Sequence, residues 1–250
     1  MPLQGKIAVI TGACGGIGTE ISLAFARAGA RVAMVDFGNL EQGERILQQL
    51  QQEGFSENIL CQVDVRDNKA VKDTIDFVAK KWGTIHVMVN AAGVTSPVSL
   101  SEIDVKEWDR VMDTNMKGTL FCSQAVIPYM KKQQYGRIIN MGSLTGKNGG
   151  FISGGVYIAS KGAIHSFTYA LAKELAPYHI TVNAVAPGPI NTEMIAKMPQ
   201  DKVKEMLKFI PLSRLGEPQE VAAAFVFLAG DNAGFITGEV LDINGGAYTD

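Results

Sequence analysis

Cysteine is scarce in this 250-residue chain: Cys14, Cys61 and Cys122 are odd in number and widely spaced. Such thiols offer neither a disulfide framework nor a zinc site, and they suit a reducing compartment. Histidine is equally sparse. His86, His165 and His179 have no partner spacing, so no metal is expected and His86 reads as a packed side chain. An excess of either charge is also missing. Twenty-three Lys and Arg stand against 25 Asp and Glu, net −2, which removes the electrostatic case for nucleic acid or an anionic membrane surface. No apolar run reaches the ~18 residues of a membrane-spanning helix. Residues 1–6 carry no signal-peptide pattern. The expectation is a cytoplasmic protein with a small-molecule substrate, no nucleic-acid partner and no membrane partner.

What the chain has is rhythm. It is 46% hydrophobic, and short apolar runs alternate with segments of helical periodicity. Strands are predicted at Lys6–Thr11, Arg31–Asp36, Ile59–Val63, Ile85–Asn90, Gly136–Met141, Ile180–Val185 and Val240–Ile243. Helices are predicted at Ile17–Ala28, Leu40–Glu53, Asn68–Trp82, Tyr157–Ala176 and Pro218–Ala229, with further helical material over Asp104–Lys131. Strands apolar on both faces belong to a parallel sheet covered by helices. The alternation therefore predicts an α/β, doubly wound Rossmann fold with about seven strands. No linker or repeat interrupts it, so residues 1–250 read as a single domain. The polar stretch 191–217 breaks the rhythm and reads as a lid over the substrate.

Gly12, Gly16 and Gly18 fall between the first strand and the first helix. Glycines there let the backbone approach a pyrophosphate, and the helix directs free N–H groups and a positive dipole end at it. The spacing is not strictly G-x-G-x-x-G. Gly12, Cys14, Gly15, Gly16, Ile17 and Gly18 are the expected contacts of this loop, with Cys14 a small filler rather than a reactive thiol. Asp36 ends the second strand, where a carboxylate can accept both hydroxyls of an adenosine ribose and would repel a 2′-phosphate. No Arg or Lys follows at 37–39. Asp36, with Phe37 beside it, thus predicts NAD rather than NADP. Asp64 and Val65, ending strand three, are candidates for the adenine edge. The turn Asn90-Ala91-Ala92-Gly93, ending strand four, has small side chains over which a cofactor can lie.

Tyr157 and Lys161 are one helical turn apart, on one face. A free phenol has a pKa of about 10, and a neighbouring ammonium favours the phenolate. Tyr157 can then exchange a proton with a substrate oxygen while a hydride moves, and Lys161 can also hold the nicotinamide ribose. Ser143 ends strand five, fourteen residues before the tyrosine. Its hydroxyl can hydrogen-bond the substrate oxygen as charge develops. Thr145 and Phe151 join Ser143 and Tyr157 as candidate substrate contacts, with Ile152 and Val156 on the same loop.

Taken in order, these residues resemble the short-chain dehydrogenase/reductase family over essentially the whole chain. The matching segments are Thr11–Gly18, Asp64, Asn90–Gly93, Asn115, Ser143, Tyr157-x-x-x-Lys161, Pro187–Thr192 and the C-terminal Thr237–Gly246. The resemblance implies a catalytic tetrad of Asn115, Ser143, Tyr157 and Lys161, in which Asn115 kinks its helix and holds a water that relays protons through Lys161. It further implies that Pro187, Gly188, Ile190 and Thr192 bind the nicotinamide side of the cofactor, and that the protein is a homotetramer. The Ser-to-Tyr spacing is one residue longer than in the family, and Ala91 stands where many members have a second asparagine. Three functions are compatible with these residues. The first is NAD-dependent oxidation of a small secondary or polyol hydroxyl, which Asp36 favours because cellular NAD is mostly oxidised. The second is 3-oxoacyl-thioester reduction. The third is dinucleotide binding without turnover.

Overall fold

Runs such as Ile7–Thr11 and Val87–Asn90 contain no polar alternation, and every residue in them is buried. Only a strand covered on both faces accommodates that pattern. The structure, a computed structural model, describes residues 1–150 and 154–249, without the side chain of Met194. Phe151 and Ile152 lie outside the described residues.

The elements alternate as the periodicity predicts: β1 (Ile7–Thr11), α1 (Gly16–Arg27), β2 (Arg31–Asp36), α2 (Leu40–Gln52), β3 (Ile59–Gln62), α3 (Asn68–Trp82), β4 (Val87–Asn90), α4 (Val105–Met112), α5 (Gly118–Gln133), β5 (Gly136–Met141), the short α6 (Thr145–Asn148), α7 (Gly155–Leu175), β6 (Ile180–Pro187), α8 (Glu193–Ala196), α9 (Gln200–Leu207), α10 (Pro218–Ala229) and β7 (Val240–Ile243). Helix ends follow local chemistry. Asp67 caps α3 by accepting from the Lys69 and Ala70 N–H groups, and Gly83 stops it at φ 93°. Pro218 opens α10 inside a Glu217/Glu220 capping box. His86 lies just ahead of β4, and its Nδ1 accepts the Ile7 N–H at 3.0 Å.

The seven strands form one parallel sheet in the order β3-β2-β1-β4-β5-β6-β7. The fold is the doubly wound α/β arrangement predicted. Each face carries its own core. Phe25 of α1 and Phe225 of α10, both fully buried, belong to one, with Ile10, Met34 and Ile139 from the sheet. Val78, Val126, Met130 and Leu175 from α3, α5 and α7 belong to the other. Among the described residues, no helix is long and apolar enough to cross a membrane.

Two segments differ from the sequence reading. The material predicted over Asp104–Lys131 is interrupted by a π-helical turn, Asp113–Lys117, between α4 and α5. Within 191–217 the chain forms α8 and α9, and its two ends are joined. Ile190 bridges Gly216, and the Asn191 N–H donates to the Gly216 carbonyl at 2.8 Å.

Truncating the aromatic side of the α1–α10 core leaves a cavity that rigid neighbours fill only in part. Phe225→Ala should lower stability by about 3–5 kcal/mol, read as a reduced denaturant midpoint with an unchanged slope.

Candidate active site

The sheet reverses its winding between β1 and β4, and a crevice opens beyond the C-terminal strand ends there. Its volume is about 1080 Å³. The phosphate loop forms one wall. Gly12 has φ +62°, and a Cβ on it would sit 2.7 Å from the Ala91 carbonyl oxygen. A Cβ on Gly18 would run into the Gly12 carbonyl. Ser22 fixes the loop from below, donating to the Gly18 and Ala13 carbonyls at 2.9 and 3.3 Å. The first-turn N–H groups of α1 have no intrahelical acceptors, and that turn itself carries no acidic side chain.

Asp36 stands at the end of β2. Its Oδ2 accepts the Cys14 N–H at 3.0 Å, and its Oδ1 accepts the Gly38 and Asn39 N–H groups, both at 3.2 Å. A carboxylate offers about four acceptor sites. The sequence reading gave Asp36 both ribose hydroxyls; with three sites taken by backbone, it has room for about one. Cys14 is buried beside it, and burial together with the Asp36 charge pushes its thiol up to about 12, so it is inert filler. The exposed Phe37 ring borders the crevice. Asp64 also lines it, paired with Arg66 at 2.6 Å, and that guanidinium holds its carboxyl below the usual range.

Thr11 joins the two sides of the reversal. Its hydroxyl accepts the Ala91 and Ala92 N–H groups, both at 3.2 Å, and lies 3.4 Å from the Val89 carbonyl. Asn90 departs from its expected role. Its side chain turns away from the crevice, donating to Ser123 Oγ at 3.1 Å and Asn140 Oδ1 at 2.8 Å, while Asn140 donates to Thr168 Oγ1 at 2.9 Å. A buried amide in a parallel sheet needs such partners, and these lie on the α5/α7 face. Gly93 does approach the site: a Cβ there would be 3.3 Å from Asn115 Oδ1 and 3.7 Å from Lys161 Nζ.

Asn115 is fully buried in the π-helical turn. Its Oδ1 accepts the Val94 N–H at 2.8 Å, and its Nδ2 donates to the Val94 carbonyl at 3.0 Å and to Ser160 Oγ at 2.9 Å. Ser160 in turn donates to the Tyr157 carbonyl at 2.7 Å. The extra residue of the π turn lets this amide reach the loop after β4, a use of such turns common at functional sites.

Tyr157 projects from α7 to the crevice, with the Ser143 hydroxyl near enough to act on its phenol. Ser143 Oγ also accepts the Thr145 N–H at 3.2 Å and the Thr145 hydroxyl at 3.0 Å. Lys161 is buried; its Nζ donates to the Met141 carbonyl at 2.6 Å and lies 5.6 Å from the Tyr157 ring centroid. The sequence reading made the ammonium favour the phenolate. In the structure burial outweighs the opposing effect of the Ser143 hydroxyl and raises the phenol pKa, so Tyr157 bears its proton. Burial also pushes the Lys161 ammonium down to about 8.

The far wall begins where β6 ends at Pro187. The Gly188 N–H donates to the Ile243 carbonyl at 2.9 Å. Thr192 returns to the phosphate loop, its Cγ2 3.1 Å from where a Gly16 Cβ would stand. The residues named from the sequence as cofactor or substrate contacts line the crevice, with three kinds of exception. Asn90, Asn115 and Lys161 stand behind the lining, Val156 is fully buried, and Phe151 and Ile152 lie outside the described residues.

A family model described as enoyl-(acyl carrier protein) reductase matches residues 12–248. The chain belongs to the short-chain dehydrogenase/reductase family. It is 39% identical over 243 residues to a 3-oxoacyl-(acyl-carrier-protein) reductase FabG of Staphylococcus epidermidis, covering 97% of this chain and 99% of that one. Identity is 40% over 249 residues to the FabG of Thermotoga maritima, covering 98% and 99%. Identity is 38% over 245 residues to an acetoacetyl-CoA reductase of Acinetobacter sp., covering 97% and 98%. The crystal structure of gox2181 superposes with a TM-score of 0.94 at 30% identity, covering 98% of this chain and 96% of that one.

Membership makes this short-chain dehydrogenase/reductase an oxidoreductase of CH–OH and keto groups, served by a nicotinamide dinucleotide. The residues fit that group: a cradle at Gly12 and Gly18 that no side chain could enter, a helix N-terminus behind it, and a carboxylate at the next strand end.

Sequence reasoning missed Thr11 as the tie across the reversal and Ser160 as the link from Asn115 to α7. Ser160 had a signal: a small polar residue three after Tyr157 lies on that tyrosine's buried face.

The cradle depends on Gly18 lacking a side chain. Gly18→Ala should weaken NADH binding by more than about tenfold, or ~1.4 kcal/mol, measured by titrating cofactor fluorescence.

Proposed function

We propose that this chain is an NAD(H)-dependent enzyme of one catalytic domain that interconverts 3-oxoacyl and 3-hydroxyacyl thioesters. The observation that carries the reading is a half-buried, proton-bearing Tyr157 at the crevice, grouped with Ser143 and with the Lys161 ammonium 5.6 Å from its ring centroid. A phenol that holds its proton at neutral pH is ready to act as an acid. The first expectation, oxidation of a small polyol, gives way here on two supports. The relatives carry names of thioester reductases. The side of the crevice formed by 191–217 presents Ile195, Met198 and Met206, which suit an acyl chain better than a polyol. On this reading that segment serves as the lid.

Bound nicotinamide supplies the hydride in reduction and takes it in oxidation. Tyr157 gives its proton to the keto oxygen, and Ser143 hydrogen-bonds that oxygen as negative charge gathers on it. Lys161 then faces the phenolate that remains. Asn115 acts as a positioning residue, holding Val94 and, through Ser160, the first turn of α7. Asp36 supports NAD over NADP, since its carboxylate at the ribose position repels a 2′-phosphate.

Purified protein should oxidise NADH with acetoacetyl-CoA, and do so more efficiently than NADPH. Oxidation of a polyol by NAD with no turnover of the thioester would overturn the reading. Tyr157→Phe should lower kcat by about 10²–10⁴-fold while the NADH dissociation constant stays within about twofold. Asp36→Ala should move the NADH/NADPH ratio of kcat/KM toward NADPH by about tenfold, equivalent to ~1.4 kcal/mol; an unmoved ratio would contradict the ribose assignment.

A further inference from the structure

We propose that His165 is a positioning residue, its imidazole wedged under the turn after β5 so that the Ser143 hydroxyl is held against the Tyr157 phenol. The inference rests on the reading of Tyr157 as the acid/base group, but not on which carbonyl compound is reduced. His165 lies on α7, two turns beyond Tyr157, and is buried. Its Nε2 accepts the Ser143 N–H at 3.4 Å. That bond is long, so the packing around it matters as much.

A Cβ on Gly142 would stand 2.5 Å from His165 Nε2, and one on Gly146 would stand 2.8 Å from its Cε1. The ring therefore fills a slot that exists only because both flanking residues are glycine. The slot has fixed sides. The Gly142 N–H donates to the Val185 carbonyl at 2.8 Å, and the Gly146 N–H donates to the Ser143 carbonyl at 3.0 Å. With the floor and both ends set, the Ser143 hydroxyl can meet Tyr157 while accepting from Thr145.

The acceptor role requires a neutral imidazole with its proton on Nδ1. The charged groups facing it are Lys147 on α6 and Lys161 on α7; burial first, and these two charges after it, push the imidazole down to about 4. Lys147 is itself held in place by Asp242 of β7 at 2.7 Å and the Val240 carbonyl at 3.2 Å. Throughout the neutral range Nε2 keeps its lone pair for Ser143.

The test compares His165→Leu, which removes the acceptor, with His165→Gln, whose amide oxygen lies at the level of Nε2. His165→Phe serves in place of the leucine variant should that one not fold. Each is assayed with NADH and acetoacetyl-CoA beside wild type and Tyr157→Phe. The acceptor-free variant should bind NADH within about twofold of wild type and lose about tenfold in kcat, ~1.4 kcal/mol of barrier. The alkaline limb of its kcat profile should move up, because the nearby Ser143 hydroxyl lowers the Tyr157 pKa and its displacement raises it. The glutamine variant should recover most of the rate and return the limb. A wild-type rate and limb in the acceptor-free variant would overturn the proposal, as would equal losses in both variants with an unmoved limb, which mean packing alone. Should Tyr157→Phe keep wild-type rates, the acid/base reading fails, and this inference with it. A dead Tyr157→Phe beside an unaffected His165→Leu overturns this inference alone.

Discussion

Between β1 and β4 the chain winds away in both directions, and the strand ends there have no helix to cover them. Every part of the candidate site leans on that gap. It remains open because the Thr11 hydroxyl takes the Ala91 and Ala92 N–H groups that the ladder between the two strands no longer reaches. The phosphate loop starts from one edge and the Ala91–Gly93 turn from the other, and they touch at Gly12. A larger side chain at Gly12 would separate them; a residue without a hydroxyl at Thr11 would leave two part-buried N–H groups without this acceptor, at up to roughly 1–3 kcal/mol for each that water does not reach.

Behind the crevice the interior is polar by design of the partners rather than by exposure. Asn90, Asn140, Ser123 and Thr168 form one chain of hydrogen bonds, and Val94, Asn115, Ser160 and Tyr157 form another. Hydrogen-bonded networks of this kind are rigid, since moving one member strands its neighbours in a low dielectric; the Asn90 Oδ1 is the one atom of the first chain left buried without a partner among the described residues. Both chains end on α7, the helix that carries Tyr157, Lys161 and His165. The face of α7 that carries Tyr157 and Lys161 is thus fixed by side chains from β4, β5, α5 and the π-helical turn, and only partly by its own helix propensity.

Much of this was legible in the sequence because periodicity reports burial. Strands apolar on both faces gave the sheet, and the order of the glycine loop, Asp36, Ser143 and Tyr157-x-x-x-Lys161 gave the crevice. What periodicity does not carry is the identity of a distant partner. Asn90 looked like part of a cofactor-facing turn, yet it is the last residue of β4, and strand alternation sends its amide to Asn140 of β5. Asn115 bonds Val94, 21 residues away, through a π turn that no spacing rule announces. Val156 precedes Tyr157 directly, so the helix turns it into the core while the tyrosine faces the crevice. His165 lacked a partner spacing because its partner is a backbone N–H, 22 residues upstream.

The charge states argue for how burial and chemistry cooperate. Burial raises the Tyr157 phenol and lowers the Lys161 ammonium, so it opposes the charged form of each when alone. On the proposed reduction, loss of the phenolic proton creates an anion beside that ammonium. An isolated buried charge is expensive, whereas a close opposite charge offsets much of that expense. On that proposal the site holds its proton in the resting state, because the phenolate would be poorly solvated, and releases it when the substrate oxygen gathers negative charge within reach of Ser143. At neutral pH an ammonium with a pKa of about 8 is mostly charged, so the counter-ion is present before the anion forms. The same desolvation that makes Tyr157 a weak acid in isolation makes its transfer step dependent on a substrate that can accept the proton, which ties proton movement to hydride movement.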